Sequence, residues 1–322
     1  MIRVVELFAG IGAQASALER LGIPHERVAV AEFEPHAYNG YCAIHGDTPN
    51  LGDITLVEHL PDCDLLCYSP PCQDISIAGN KKGLAEGSGT RSSMLWEVLR
   101  LLRDAGERES LPGVLVMENV DAILTKDNRP QLERFIIGLN ELGYDSSWKV
   151  LNAKDYGVPQ NRNRFFMVST LDKGVFVFPK GKPLEKRLKD VLEPVVDESY
   201  YLSPERIATF ERHRMRQEEN NRGFGWKPKD IDGDSERERV ANSVTTHADR
   251  YVATFVIEPP KPECSGEPDN DNGDARIIQA GTVNMGNNDK MNRVYDSEGI
   301  SPTILTPGGG IMPKIVEGAD DE

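Results

Sequence analysis

Four short apolar runs, each ending at glycine, proline or a carboxylate, alternate with stretches of helical spacing through the first half of this chain. The runs are VVELFA (Val4 to Ala9), RVAVAEF (Arg27 to Phe33), CDLLCYS (Cys63 to Ser69) and GVLVMENV (Gly113 to Val120). Between and after them the spacing predicts helices over Ala13–Leu21, from Pro35, over Ser93–Leu102 and over Leu132–Leu142. Strands this apolar are buried on both faces, and helices interposed between them are what covers a parallel sheet. SSWKVLNA and RFFMVST then follow without a clear helix between them, which predicts an antiparallel pair. Ligands on such sheets bind beyond the carboxyl ends of the strands. After Thr170 proline, glycine and charge rise and periodicity weakens. The expectation is an α/β domain over residues 1–172 and a smaller, irregular domain over 173–322. A faint echo between ANSVTTHADRYVATFVIE and GISPTILTPGGGIMPKIVE is too short to define a repeat.

Composition removes several classes. No run of 18 apolar residues occurs, so a transmembrane helix is not expected. The opening MIRVVELFAG runs from a short apolar stretch into glycine, unlike a signal peptide, and predicts a cytoplasmic chain with no membrane partner. The 5 cysteines are odd in number and irregular in spacing, against a disulfide framework, and Cys63 and Cys67 lack further ligands at zinc spacing. No metal site is expected. The net charge of −15, taken as a sum, argues against nucleic acid. The acid is concentrated, however, in Glu258–Ala275 and in the tail EGADDE, while basic residues gather at Lys180–Lys189 and Arg212–Gln217. Either basic run alone reads as a solvated helix face.

Chemistry-bearing residues fall at the predicted strand ends. Gly10 and Gly12 in ELFAGIGAQASALERLG permit close approach of a ligand to the backbone. Glu32 is placed to accept ribose hydroxyls, Phe33 to stack on a base, and Asp53 in GDIT to accept from an exocyclic amine. Cys72 follows Pro70 and Pro71, which stiffen the chain before it. Following N–H groups would favour its thiolate, the reactive form. Glu118 ends an apolar strand, and an apolar cleft there would let it hold a proton near neutral pH. Arg162 and Arg164 alternate, so on one strand they would share a face and suit a planar acceptor or a phosphate. Each residue has an ordinary alternative as well: a tight turn, a strand-end carboxylate, a core ring, a cap, a buried thiol or a surface ion pair.

The order of these blocks is more specific than any one of them. A glycine loop, a strand-end acid, Pro-Pro-Cys-Gln, Glu-Asn-Val and Gln-x-Arg-x-Arg occur in succession, and the chain from Val4 to about Lys314 resembles the DNA cytosine-5 methyltransferases. RVYDSEGISPTILTPGGGIMPKI (Arg293 to Ile315) resembles that family's ninth conserved block. The resemblance implies a Rossmann-like, S-adenosylmethionine-dependent methyltransferase sheet with a smaller target-recognition domain. It also implies double-stranded DNA as substrate, in or out of a restriction-modification setting. It makes Cys72 the nucleophile toward C6 of a cytosine flipped out of the duplex. Glu118 would hold the N3 and amino edge, and Arg164 the base O2 with support from Arg162. Phe8, Gly10, Gly12, Glu32, Phe33, Asp53, Ile54 and Leu95 would line the cofactor pocket. Gln73 and Ser76, at the start of a glycine-rich catalytic loop over Gln73–Ser92, would contact DNA.

The sequence departs from the family pattern at its end, where the chain closes with VEGADDE soon after the ninth block. The expected closing Gly-Asn-Ser block is then missing or supplied by a second polypeptide, and the chain alone would be weakly active or a binding remnant. A transfer-RNA-methylating branch shares the Pro-Pro-Cys-Gln block but carries a Cys-Phe-Thr signature. No cysteine lies between Cys72 and Cys264, which ranks that reading lower.

Overall fold

The computed structural model describes residues 1–71, 94–172, 174–192 and 202–220, residue 235, and segments 229–230, 239–242, 255–258, 276–279, 293–295 and 313–315. The chain forms two compact units: Met1–Asn152 with Asn163–Gly181, and Ala153–Arg162 with Lys182–Glu322. The first unit runs β1 (Ile2–Leu7), α1 (Ala13–Arg20), β2 (His25–Ala31), α2 (Pro35–His45), β3 (Leu65–Tyr68), α3 (Leu95–Glu107), β4 (Val114–Asn119), α4 (Arg129–Glu141) and β5 (Asp145–Asn152). The two-residue β6 (Gln160–Asn161) lies in the second unit, and β7 (Asn163–Thr170) returns to the first.

The six strands order as β2-β1-β3-β4-β7-β5. The first four are parallel, and β7 is antiparallel to β4 and to β5, the latter pairing as expected where no helix separates the two strands. Alternate side chains meet α3 and α4 on one face. Val5, Leu7, Leu66, Tyr68, Leu115, Met117, Phe165 and Met167 form one core cluster with Leu95, Val98, Leu99, Leu102, Leu132, Phe135 and Leu139. The helices approach closely because α4 has a glycine at the crossing: a Cβ on Gly138 would lie 2.6 Å from Leu99 Cδ2. On the other face α1 and α2 enclose a smaller cluster of Ala9, Ala15, Val30 and Tyr41. Leu111 and Leu142 add to the larger core at its edge. Among the described residues no helix is long and apolar enough to cross a membrane.

In the second unit α5 (Pro204–Glu219) starts with Ser203 Oγ accepting from Arg206 N at 3.4 Å and has no buried residue. Arg214 pairs with Glu211 at 2.9 Å and Glu218 at 3.1 Å, so the basic run Arg212–Gln217 lies on a solvated helix. The remaining strands are short: β8 (Lys229–Asp230), β9 (Ala241–Asn242), β10 (Phe255–Glu258), β11 (Arg276–Gln279), β12 (Arg293–Tyr295) and β13 (Pro313–Ile315). β10 pairs with β8 and β11, β6 with β9, and β12 with β13. The last pair frames the RVYDSEGISPTILTPGGGIMPKI stretch.

Candidate active site

Strand register places four loops at one edge of the sheet. Leu7 lies opposite Ala31 on one side and Tyr68 on the other, and Tyr68 lies opposite Met117. The next residues along each strand, Phe8, Glu32, Ser69 and Glu118, therefore emerge in one row. The chain leaves β1 toward β2 and leaves β3 toward β4, in opposite directions, which opens a crevice between β1 and β3.

The β1 loop is built on left-handed backbone. Phe8 has φ 59°, rare for a bulky residue, and is held by its N–H donating to Ala31 O at 2.8 Å. Gly10 has φ 57°, and among the described residues nothing lies within 4 Å of where its Cβ would be. Its N–H donates to Glu32 Oε2 at 2.9 Å, and Glu34 N donates to Oε1 at 2.9 Å. Glu32 is 5% exposed, and burial raises its pKa against the lowering effect of these two N–H groups. Gly12, φ 81°, begins α1 against α2, where a Cβ would meet His45 Nε2 at 2.5 Å and Tyr41 at 2.7 Å. Phe33 is exposed at 57%. Asp53 is exposed, and both of its bonds use Oδ1, which accepts from Thr55 N at 2.9 Å and Thr55 Oγ1 at 2.8 Å. Ile54 and Leu95 are core residues.

At the far end of the row Glu118 and Arg164 meet. Glu118 is opposite Phe166, so Arg164, two residues along β7, shares its face. Arg164 Nε lies 2.8 Å from Glu118 Oε1, and both side chains are about four-fifths buried, at 17% and 24% exposure. A guanidinium is thus an immediate neighbour of Glu118. The expected shared strand for Arg162 and Arg164 is corrected. Arg162 sits at a break, after β6 pairs with β9 and before β7 joins the central sheet. Its carbonyl accepts from Ala153 N at 3.0 Å. Alternation counted along the sequence does not register such a change of partner strand. Cys72, Gln73, Ser76 and the rest of the loop to Ser92 lie outside the described residues, as do residues 259–275 and the tail from 316.

A family model described as C-5 cytosine-specific DNA methylase matches residues 2–296. The chain belongs to this family. It is 39% identical over 318 residues to the type II methyltransferase M.HhaI of Haemophilus parahaemolyticus, covering 97% of this chain and 76% of that protein. It is 36% identical over 262 residues to the orphan methyltransferase M.SssI of Spiroplasma monobiae, covering 63% and 67%. The Entamoeba histolytica methyltransferase EhMeth has the same fold, with a TM-score of 0.63 at 17% identity over 86% of this chain and 83% of that one.

The cytosine methylases take their methyl group from S-adenosylmethionine, and the β1–β2 edge suits that molecule. The spare lone pairs of the buried Glu32 carboxylate fit ribose hydroxyls, the exposed Phe33 ring fits a base face, and Asp53 Oδ2 is left for an exocyclic amine. The lack of a side chain at Gly10 admits a ligand against the backbone. Several residues that shape this edge went unremarked in the sequence. Asn50 brackets Glu32, its Oδ1 accepting from Glu32 N at 3.0 Å and its Nδ2 donating to Glu32 O at 2.9 Å. His45 Nε2 lies 3.1 Å from Ile11 O and its Nδ1 3.0 Å from Glu19. Asn119 Nδ2 donates to Pro70 O at 3.2 Å. Only Asn119 stood in a recognisable block; the others act through long-range contacts that no local pattern announces. Cys63 and Cys67 are buried, and burial pushes the Cys63 thiol up to about 12 and raises that of Cys67, which makes both inert.

Proposed function

We propose that this chain methylates C5 of a cytosine in double-stranded DNA, with Cys72 as the covalent nucleophile. The observation that supports this most is the Glu118–Arg164 pair, at 2.8 Å, in the same strand-end row as the Gly10–Glu32 bond. One edge thus offers a hydrogen-bonding cradle for a cofactor and a carboxylate–guanidinium pair for a polar ring. S-adenosylmethionine supplies the electrophilic methyl group. The Cys72 thiolate forms a bond to C6, which drives the ring's electron pair to C5 and lets C5 take the methyl. The C5 proton then leaves and the C6–S bond breaks, regenerating the thiolate. C6 is inaccessible in a stacked duplex, so the base is read outside the helix. Glu118 binds the N3 and amino edge and offsets charge that builds there as the bond to C6 forms. Arg164 orients Glu118 and reaches O2, and Arg162, two residues away at the break before β7, supports it. Gln73 and Ser76 contact DNA beside the vacated base, and the stretch from about Lys173 to Asp289 selects the target.

The test of the main reading is direct. Incubation with methyl-labelled cofactor and duplex DNA should yield labelled 5-methylcytosine, and Cys72→Ser should abolish it. Label in transfer RNA but not in DNA would overturn the substrate assignment.

A further inference from the structure

We propose that Asn50 and Arg100 are positioning residues for base recognition, which together hold the loop that carries Asp53 at a fixed place relative to Glu32. The segment before this loop lies alongside β2: Val30 N donates to Pro49 O at 2.9 Å, and Leu51 N donates to Val30 O at 2.7 Å. Asn50 is an exposed residue, so water could serve its amide. Its side chain serves three backbone groups instead. Oδ1 accepts from Glu32 N at 3.0 Å and from Gly52 N at 2.9 Å, and Nδ2 donates to Glu32 O at 2.9 Å. One amide thus ties the backbone of the buried acid to the residue before Asp53.

The far end of the loop is held from α3. Asp53 caps a single 3₁₀ turn, Ile54–Leu56. Arg100 Nη2 donates to Ile54 O at 3.2 Å and to Val57 O at 2.8 Å, while its Nε donates to Glu97 Oε2 at 2.7 Å. Between these bonds the side chains of Ile54 and Val57 fasten the turn to the core. Within the loop, Asp53 Oδ1 is engaged by Thr55, which sets the direction of the carboxylate. Glu32 and Asp53 belong to different loops, and they read one molecule together only while the two loops keep a fixed offset. Asn50 is a direct link between them, and Arg100 stops the Asp53 loop from pivoting about that link. The inference rests on the reading of this edge as the S-adenosylmethionine cradle. It adds that the preference for an amino purine depends on two residues that act through Asp53.

The test uses the full chain and calorimetry with two ligands, S-adenosylhomocysteine and its inosine counterpart, in which a carbonyl replaces the exocyclic amine of the purine. Wild type should favour the amine form by roughly tenfold or more, as for a hydrogen bond to a charged acceptor. Asn50→Ala and Arg100→Ala should each cut that ratio by about three- to tenfold, the range for one or two neutral hydrogen bonds. Arg100→Lys, which keeps donors for both carbonyls, should retain most of it. The Arg100 side chain is 41% exposed, so its truncation leaves the core intact and provides a second variant beside Asn50→Ala. Both ligands are measured on one preparation, so partial misfolding lowers both binding capacities alike and leaves the ratio of affinities unchanged. A variant whose ratio equals that of wild type overturns the inference for that residue. A wild type without any preference, or a preference that survives Asp53→Ala, overturns the inference together with Asp53 as the amine acceptor and leaves cytosine methylation standing. Failure of both ligands to bind would overturn the cradle itself and the inference with it.

Discussion

Glu6 should make the first unit less stable as pH rises through neutrality, and its removal should flatten that dependence. The side chain is 2% exposed on the α1–α2 face of the sheet. One oxygen accepts from Tyr41 Oη at 3.1 Å, the Ala15 N–H also donates to the carboxylate, and among the described residues Oε2 has no hydrogen-bond partner. Burial dominates these contacts and pushes the carboxyl from 4.5 up to about 7. The folded chain therefore holds a proton that the unfolded chain has already released. Below the unfolded value both states are protonated and Glu6 contributes no pH dependence. Between about 4.5 and 7 the unfolded state gains from ionising while the folded state does not, so stability falls, and above about 7 the loss is complete. A difference of some 2.5 pKa units corresponds to about 3 kcal/mol. Glu32, also raised, contributes in the same direction, so the wild-type slope alone does not isolate Glu6. Urea unfolding of wild type and Glu6→Gln at closely spaced pH values from 4 to 8.5 isolates it by difference. The variant carries a constant offset from its amide, and relative to wild type it should gain about 3 kcal/mol across that window. Parallel profiles for the two proteins would refute the reasoning and would mean the carboxyl ionises without cost in the folded state.

Three further outcomes are expected. Glu32→Ala should weaken S-adenosylmethionine binding by roughly ten- to a hundredfold by calorimetry, since a charged acceptor for ribose is lost; unchanged affinity would leave Glu32 as a strand-end carboxylate that only fastens Gly10 and Glu34. Gly12→Ala should destabilise the chain by about 1–3 kcal/mol through overpacking against His45 and Tyr41, with about 1–2 kcal/mol more from left-handed backbone, read as a lower urea midpoint; a midpoint equal to wild type would show that α2 gives way freely. Gly138→Ala should destabilise the chain by about 1–3 kcal/mol and lower the urea midpoint, because a Cβ there would lie 2.6 Å from Leu99 Cδ2, and an unchanged midpoint would show that Leu99 yields freely.

The parts of this fold that could be read from sequence are those set by local periodicity. The run VVELFA closed by glycine became β1 and its loop, and the absence of a helix between SSWKVLNA and RFFMVST became the antiparallel β5–β7 pair. Strand order could not be read, because it depends on which apolar runs pack across the chain, and with it the crevice between β1 and β3 stayed hidden. The Glu118–Arg164 pair was half legible. Both residues stood in recognisable blocks, but their diagonal placement needs the β4–β7 register, in which Glu118 faces Phe166. Arg162 misled for a related reason: a two-residue period is meaningful only while the chain stays in one strand. His45 carries no local signature, since it acts on residues 26 and 34 positions away, and Asn50, whose Oδ1 also accepts from Gly52 N, announces a turn but not its reach to Glu32.

The central claim is the covalent step, and trapping tests it most directly. Duplex DNA with 5-fluorocytosine at the target position is incubated with the chain and S-adenosylmethionine, and the product is examined by intact and peptide mass spectrometry. Fluorine at C5 cannot leave as a proton does, so the reaction should stop after methyl transfer, with the DNA bonded to the Cys72 peptide and the mass of one methyl group included. Adduct at that peptide in wild type and none in Cys72→Ser is the predicted result. Methylated DNA without any trapped adduct, or an equal yield of adduct from the serine variant, would contradict it.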